Sequence, residues 1–459
     1  MHIRTALSRS IALALLAASS AHAAPTLVGF AKLDANTFSD GPTSGQFIAA
    51  ANGITPPFVG QQPVQGFSAV LPGPRPGTFR VMPDNGFGTK GSSPDALLRL
   101  YTVKPDFRTG HGGSGQVRPV SYFLGLPLPG FGPLGRITLR DPDHRLSFPV
   151  VADGVNYPYA GTGPGQATIP VDPAIKVRRL LTGADFDIES VREDRWGNLW
   201  FGDEFGPFLI KTDATGKVLS REIPLPLPSL PGSPDLGDNP LVQSPQNPDL
   251  AGRQPNLRAS NGFEGMAINR SGTKLYPLLE GPIITDPDQK RLVISEFDIQ
   301  SKRYTGRTFS YKLEAQGTNI GDMTAVNDHE FLVIERNGSQ GDPNLPGTFP
   351  NPANFKKIFK VDFKQVDANG FVQKTELVDL LNVADPLDLD RDGFKRFTFP
   401  FVTIEDVLVL DARTLLVIND NNYPGNGGRT VSAPDGTEFI LIRLDDALDL
   451  PKAGPSRGH

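Results

Sequence analysis

One phrase recurs five times along this chain. A residue that is acidic in four of the copies opens a short apolar strand, a tight turn follows, and a second strand ends on a carboxylate 13 to 16 residues after the start. The copies run from Ser68 to Asp84, Glu189 to Asp203, Glu264 to Glu280, Asp322 to Glu335 and Glu405 to Asp420. One supersecondary unit of this size cannot bury a core alone, so equivalent hairpins must stack side by side. Set round a common axis, their carboxylates converge, and such a cluster is too repulsive to stay bare without protons or a cation.

Within the clearest copies the first strand keeps a period of two: Glu264, Met266 and Ile268 share a face, as do Asp322, Thr324 and Val326, and Glu405, Val407 and Val409. That spacing places the leading acid at one end of a buried, mainly apolar face. The second strand is apolar without alternation, at Leu199 to Phe201, Phe331 to Ile334 and Leu415 to Ile418, which suits a strand covered on both faces. Polar turns such as Arg195 to Asn198 join the pair, and third and fourth strands follow, for example Leu292 to Asp298 and Thr308 to Leu313.

Four strands in sequence, repeated, predict an all-β chain: a β-propeller of four-stranded blades with five signature repeats visible. The 121-residue step from Ser68 to Glu189 leaves room for a sixth, degenerate blade between Leu124 and Leu181, with a Gly- and Pro-rich insertion as the alternative. The last copy lacks a fourth strand. Thr26 to Asp34, near the N-terminus, is expected to complete that blade and close the ring, which removes open sheet edges.

Residues 1–23 combine Arg4 and Arg9, an apolar run from Ile11 to Ala18, and the small-residue site Ala21-His22-Ala23, the pattern of a cleaved secretory signal. The apolar run is shorter than the roughly 20 residues a membrane span needs. The expectation is therefore a periplasmic or secreted chain with no membrane span, residues 24–459 forming a single domain and acting as a monomer. The sequence has no cysteine, which excludes disulfides, thiolate metal sites and cysteine nucleophiles. Its formal net charge of −5 argues against nucleic acid as a partner.

Four stretches carry a family resemblance: DFDIES from Asp185 with GNLWFGDEFGP from Gly197, NGFEG from Asn261, FPFVTIEDV from Phe399, and NDNNYP from Asn419. Together they resemble the bacterial "esterase-like activity of phytase" family over roughly Leu27 to Leu444, and several ordered motifs are more specific than any one. The resemblance implies an exported phosphoester-processing protein of phytase-like or phosphodiesterase-like activity, taking a small anionic phosphoester and working through Asp and Glu residues.

Read from the residues, the carboxylates form the candidate site. Glu189, Glu264, Asp322 and Glu405 are expected as a ring at a channel mouth, with Asp84, Asp203, Glu204, Glu280, Glu335 and Asp420 beside them and Asn85, Asn421 and Asn422 as neutral ligands. Hard oxygen donors without Cys and with little His select Ca²⁺ or Mg²⁺. Glu189, Glu264, Glu405, Asp203 and Glu204 are the candidate catalytic acids, with Arg336 and Arg429 clamping phosphate oxygens and Lys90 as a third cation. Two other functions remain open at this point: a Ca²⁺-dependent propeller lactonase or esterase, and a non-catalytic binding propeller. Asp388 to Gly393 matches the start of an EF-hand loop, but its twelfth position is Phe399, where a bidentate Glu belongs. His111 to Gly115 has the look of an oxyanion loop, yet no G-x-S-x-G elbow accompanies it, so a serine esterase is not expected.

Overall fold

Short alternating strands separated by Gly- and Pro-rich turns give an all-β chain in the computed structural model, which describes residues 25–159, 168–232, 235–425 and 427–451. The proposed signal at 1–23 lies outside the described residues. Four-stranded antiparallel meanders dominate. The first runs Phe67–Pro72, Phe79–Pro83, Arg99–Asp106, Gln116–Pro119; the second Ile188–Glu193, Leu199–Asp203, Phe208–Thr212, Ile223–Pro224. The third runs Phe263–Ile268, Lys274–Leu279, Arg291–Asp298, Arg303–Lys312, and the fourth Asn319–Ala325, Glu330–Arg336, Lys356–Val366, Val372–Asp379. In the fifth, Asp406–Asp411, Thr414–Ile418 and Thr437–Arg443 are followed by Thr26–Leu33, which pairs antiparallel with Thr437–Arg443 from Thr26↔Arg443 to Leu33↔Thr437.

Hydrophobic burial explains the order. Each of five buried apolar clusters spans two successive sheets: Ala69 and Met82 with Val191 and Phe201; Trp200 with Phe263; Leu278 with Phe331; Leu332 with Leu415; and Ile418 with Phe67. In the second sheet Phe201 enters one cluster and its neighbour Trp200 the next, so the unbroken apolar run is a strand covered on both faces. The opening strands pack on one another in chain order, and Asp406–Asp411 packs on Phe67–Pro72.

The candidate sixth repeat has a different structure. Among the described residues of 124–181 there is no four-stranded sheet; Arg136–Thr138 adds to the edge of Arg99–Asp106, and a short helix, Pro173–Arg178, follows. Phe148 from this segment stacks on Phe208 and meets Phe186 edge-on, so the insertion covers the second sheet.

Register decides where the acids point. Ser68, Glu189 and Glu264 each fall at a register shift: Phe67 pairs with Pro83 but Ala69 with Met82, Ile188 with Asp203 but Ser190 with Gly202, and Phe263 with Leu279 but Gly265 with Leu278. A β-bulge inserts one residue and re-aims its side chain. The leading residue thus leaves the alternation predicted for it, which would have directed it into a blade face.

In the fourth sheet Ile320 pairs with Glu335 and Met323 with Val333, so the residue in the leading slot is Gly321, not Asp322. A one-residue slip of frame turns a side chain to another direction. Gly321 is required there, because a Cβ would lie 1.9 Å from the Ile404 carbonyl oxygen of the neighbouring sheet. Gly321→Ala is expected to cost about 3 kcal/mol through backbone displacement. A chemical denaturation midpoint equal to that of the unsubstituted protein would refute this close approach.

Candidate functional site

The same register assigns the closing slots. The residues one beyond Pro83, Asp203, Leu279 and Glu335 are Asp84, Glu204, Glu280 and Arg336, so three copies close on an acid and the fourth on a guanidinium. On this frame, leading and closing residues of different copies come together. Arg336 Nη2 donates to Glu405 Oε1 at 2.8 Å, Glu264 Oε1 at 3.1 Å and Glu280 Oε1 at 3.3 Å. Ser68 Oγ donates to the other Glu405 oxygen at 2.9 Å, and Asn261 and Asn319 donate to Glu280.

Beside Arg336 lie two carboxylate triads that share Glu189: Asp84, Asp187 and Glu189, and Glu189, Glu204 and Glu264, with one oxygen from each member within 4.8 Å of the others. All but Asp84 are buried; Asp84 is partly exposed. Asp187 Oδ1 and Glu204 Oε1 have no hydrogen-bond partner despite their burial. Asp84 and Asp420 also line a cleft of about 240 Å³ with Gln65, Gly66, Phe87 and Tyr423. A larger cavity of about 460 Å³ lies among the turn ends of the same opening strands, lined by Val70, Arg192, Ile268, Thr324 and Leu408. Its lining holds none of the triad residues, whereas Asp84 of one triad lines the smaller cleft.

Electrostatics agree with the geometry. Burial raises the carboxyl pKa values of Glu189, Glu204 and Glu264 well above the usual range, and the neighbouring acids add to the shift. Asp187 is pushed up to about 7 by burial, with hydrogen bonding from Asn85 working against it. Glu405 rises to about 8, again through burial, although Arg336 pulls in the other direction. Asp84 is raised well above its ordinary value by burial and then by Asp420 and Asp187. Bare, this cluster holds protons that free carboxyl groups would have released.

The donor set fits a hard divalent cation: carboxylate oxygens only, close together, two of them unpartnered in the interior. The neutral additions to that set do different work. Asn85 Oδ1 accepts the Phe87 and Gly88 amides, and Asn421 is satisfied by Gly66, Gln65 and Asp435. Asn422 donates its backbone amide to Asp420 Oδ1 at 2.7 Å and its side-chain amide to Thr403.

Several predicted site residues prove structural. Asp203 accepts the Asp187 and Gly206 amides at 2.9 and 2.7 Å and so shapes the loop that presents Asp187 and Glu204. Asp322 is bound to Arg192 at 2.9 Å and to the Val407 amide at 3.1 Å. Glu335, the strand neighbour of Arg336, points away from it and accepts from Tyr311, Lys374 and the Glu314 amide. Arg429 makes a paired contact with Glu438 at 2.9 and 3.1 Å and a third with Asp342, which leaves it no phosphate-clamping role. Arg336 is inside the cluster, already shared by three carboxylates. Lys90 donates to the Gln246 carbonyl and lies over the Phe205 ring, and burial lowers its pKa.

Asp187 is the site residue that the repeat did not reveal. It belongs to neither slot, and its signal in the sequence is the doubled acid of Asp185-Phe186-Asp187 just before the second copy. Asp185 takes a different path, accepting the Val151 and Thr182 amides at 2.7 and 2.8 Å.

Three comparisons bear on identity. An uncharacterized secreted protein of Arthroderma benhamiae is 26% identical over 264 residues, covering 55% of this chain and 46% of the relative. The chain thus spans about half the length of the curated relative it matches. Among solved structures, a calcium-binding protein, regucalcin, from Agrobacterium tumefaciens is 12% identical, with 91% of this chain and 99% of that chain covered at a TM-score of 0.34. A GH43 β-1,3-galactosidase in complex with galactodeoxynojirimycin is 11% identical, with 83% and 90% covered at a TM-score of 0.37. At those scores neither likeness carries weight for fold or reaction. The sequence match to the phytase-like family, described as esterase-like activity of phytase, extends over residues 62–423 and takes in every slot from Ser68 to Asp420. By that match, the chain belongs to the phytase-like family.

Proposed function

We propose that this chain is an exported, divalent-cation-dependent phosphoester hydrolase, built as a closed ring of five blades with the carboxylate cluster at one end of its axis. The observation that carries the reading is the pair of buried triads sharing Glu189 beside a cleft bordered by Asp84 and Asp420. Family membership supports a phosphoester as substrate, and the secreted relative supports export. The ring is supported by the five inter-sheet clusters and by the cavity that draws lining residues from all five opening strands.

Asp84, Asp187, Glu189, Glu204 and Glu264 would hold Ca²⁺ or Mg²⁺, which when bound supplies positive charge and Lewis acidity toward a phosphoryl oxygen. The residues divide the remaining work. Arg336 is fixed by Glu264, Glu280 and Glu405 and keeps those carboxylates from swinging. Asp84 has Oδ1 held by the Gly86 amide at 2.7 Å, which leaves Oδ2 to exchange a proton at the cleft wall. Phe87 and Tyr423 add aromatic surface to the lining of the same cleft. A cleft of about 240 Å³ is just below the usual size of small-molecule pockets, so it suits one phosphoester head.

The test is turnover by the Ca²⁺-loaded protein on phosphomonoesters, phosphodiesters and lactones. Phosphoester hydrolysis that EDTA removes and Ca²⁺ or Mg²⁺ restores is the expected result. Lactone turnover alone would move the reading to a lactonase, and no turnover on any class would leave a binding protein.

A further inference from the structure

We propose that Asp385, Asp388 and Asp390 form a second Ca²⁺ site, remote in sequence from the cleft residues, that pins the loop 385–393 against the N-terminal strand and so latches the seam between the two ends of the described chain. One carboxylate oxygen from each of the three lies within 4.8 Å of the others. Asp385 is 0% exposed; its Oδ2 accepts the Leu389 amide at 2.6 Å, while its Oδ1 has no hydrogen-bond partner. A buried carboxylate oxygen without a donor, in a cluster of three acids, costs free energy that a cation would offset. Arg108 acts on Asp388 and Asp390 through its charge, and Arg429 on Asp390, but both reach them only at longer range than a salt bridge.

The sequence pattern now has an explanation. Asp388, Asp390 and Gly393 occupy the first, third and sixth positions of a calcium loop, and Gly393 has the positive φ of 88° that its sharp turn needs. The glutamate missing at the twelfth position is replaced by Phe399, which is 0% exposed. Asp385, three residues ahead of the loop, supplies the buried carboxylate from the other side. This is a calcium loop whose last ligand has moved from its end to its start.

Its position gives it a role. The Ala384 amide donates to the Pro25 carbonyl at 2.8 Å, and Thr26 pairs with Ala384. Arg108 donates to the Leu389 carbonyl and lies over the Phe30 ring of the N-terminal strand. Leu389 and Phe397 share one apolar cluster with Leu27 and Phe30. The loop therefore touches the strand that completes the fifth sheet, and holding the loop holds that strand.

Asp388→Asn with Asp390→Asn in the full exported chain tests this, with Ca²⁺ alone as the probe. Equilibrium dialysis is expected to show one fewer Ca²⁺ bound per chain. Amide exchange over Thr26–Leu33 in saturating Ca²⁺ is expected to quicken by about tenfold as the seam opens more often. Glu189→Gln serves as the control, since it alters the cleft and is expected to leave exchange at the seam unchanged. The two readings fail separately, because neither readout uses hydrolysis. An unchanged Ca²⁺ stoichiometry in the double variant would overturn the site; a lost Ca²⁺ with unchanged exchange would overturn the latch.

Discussion

Arg336→Met is expected to lower the stability of the metal-free protein at pH 8 by about 3 to 5 kcal/mol, the usual consequence of stripping one partner from a buried ionic group. Arg336 is 6% exposed and its guanidinium bridges Glu264, Glu280 and Glu405, so its loss leaves three buried carboxylates facing one another. Burial disfavours its charge, yet Glu405, Glu264 and Glu280 more than offset this, and its pKa is raised. The sign of the pH dependence follows from the carboxylates. Their folded pKa values lie above the unfolded ones, so the native state binds more protons and stability falls as pH rises, up to the folded value of about 8 for Glu405. In the variant the acids lose their cation, the folded values climb further, and the decline between about pH 5 and pH 8 steepens. Urea denaturation at pH 5 and pH 8, with EDTA or with Ca²⁺, measures this. Ca²⁺ should recover part of the loss; equal stability of variant and parent at pH 8 in EDTA would remove Arg336 from the cluster's charge balance.

Glu189→Gln is expected to move stability and activity in opposite directions. Glu189 belongs to both triads, and its charge is disfavoured by burial and by Asp187, Glu264, Glu405 and Asp84. A neutral amide of the same shape relieves that repulsion, so the metal-free variant should melt at a higher temperature than the parent at pH 8. The same substitution removes a shared ligand. Hydrolysis under the proposed reading should therefore drop by at least about 100-fold, the upper end of what even an outer-shell partner costs. Strain stored at a functional site and relieved by its removal has this double signature. A variant that loses stability and keeps turnover would assign Glu189 to the fold alone.

The repeat made much of the site legible. Ser68, Glu189, Glu264 and Glu405 lie in equivalent leading slots, and Asp84, Glu280 and Asp420 at equivalent ends, because a carboxylate bounding an apolar strand is a local pattern. The second and fourth copies were less legible. Asp203 and Glu204 are adjacent, and only pairing with Ile188 shows that the first braces a loop while the second enters a triad. In the fourth copy the leading acid predicted at Asp322 is displaced by Gly321, a residue whose reason for being there is the Ile404 carbonyl of the next sheet. A bulge adds one residue without any mark in composition, so the period-two argument carried the frame past it.

The two arginines divide along the same line. Arg336 ends a repeat strand, Arg429 follows one, and both read as phosphate clamps. Arg336 meets Glu264 from 72 residues away, while Arg429 meets Glu438 within nine residues and Asp342 across 87. Nothing near either residue in the chain distinguishes them.

The strands, their turns, the five-fold phrase and the acidic character of what converges follow from local sequence, since each depends on neighbours within one hairpin. Tertiary structure alone decided which acids come together, that Arg336 is enclosed by three of them, and that Asp385 lies beside Asp388 and Asp390. Those outcomes turn on one-residue registers and on donors reaching across sheets, as Arg192 does to Asp322 over 130 residues. The free energy of a buried charge is set by what surrounds it in space, and that is fixed only once the sheets have packed.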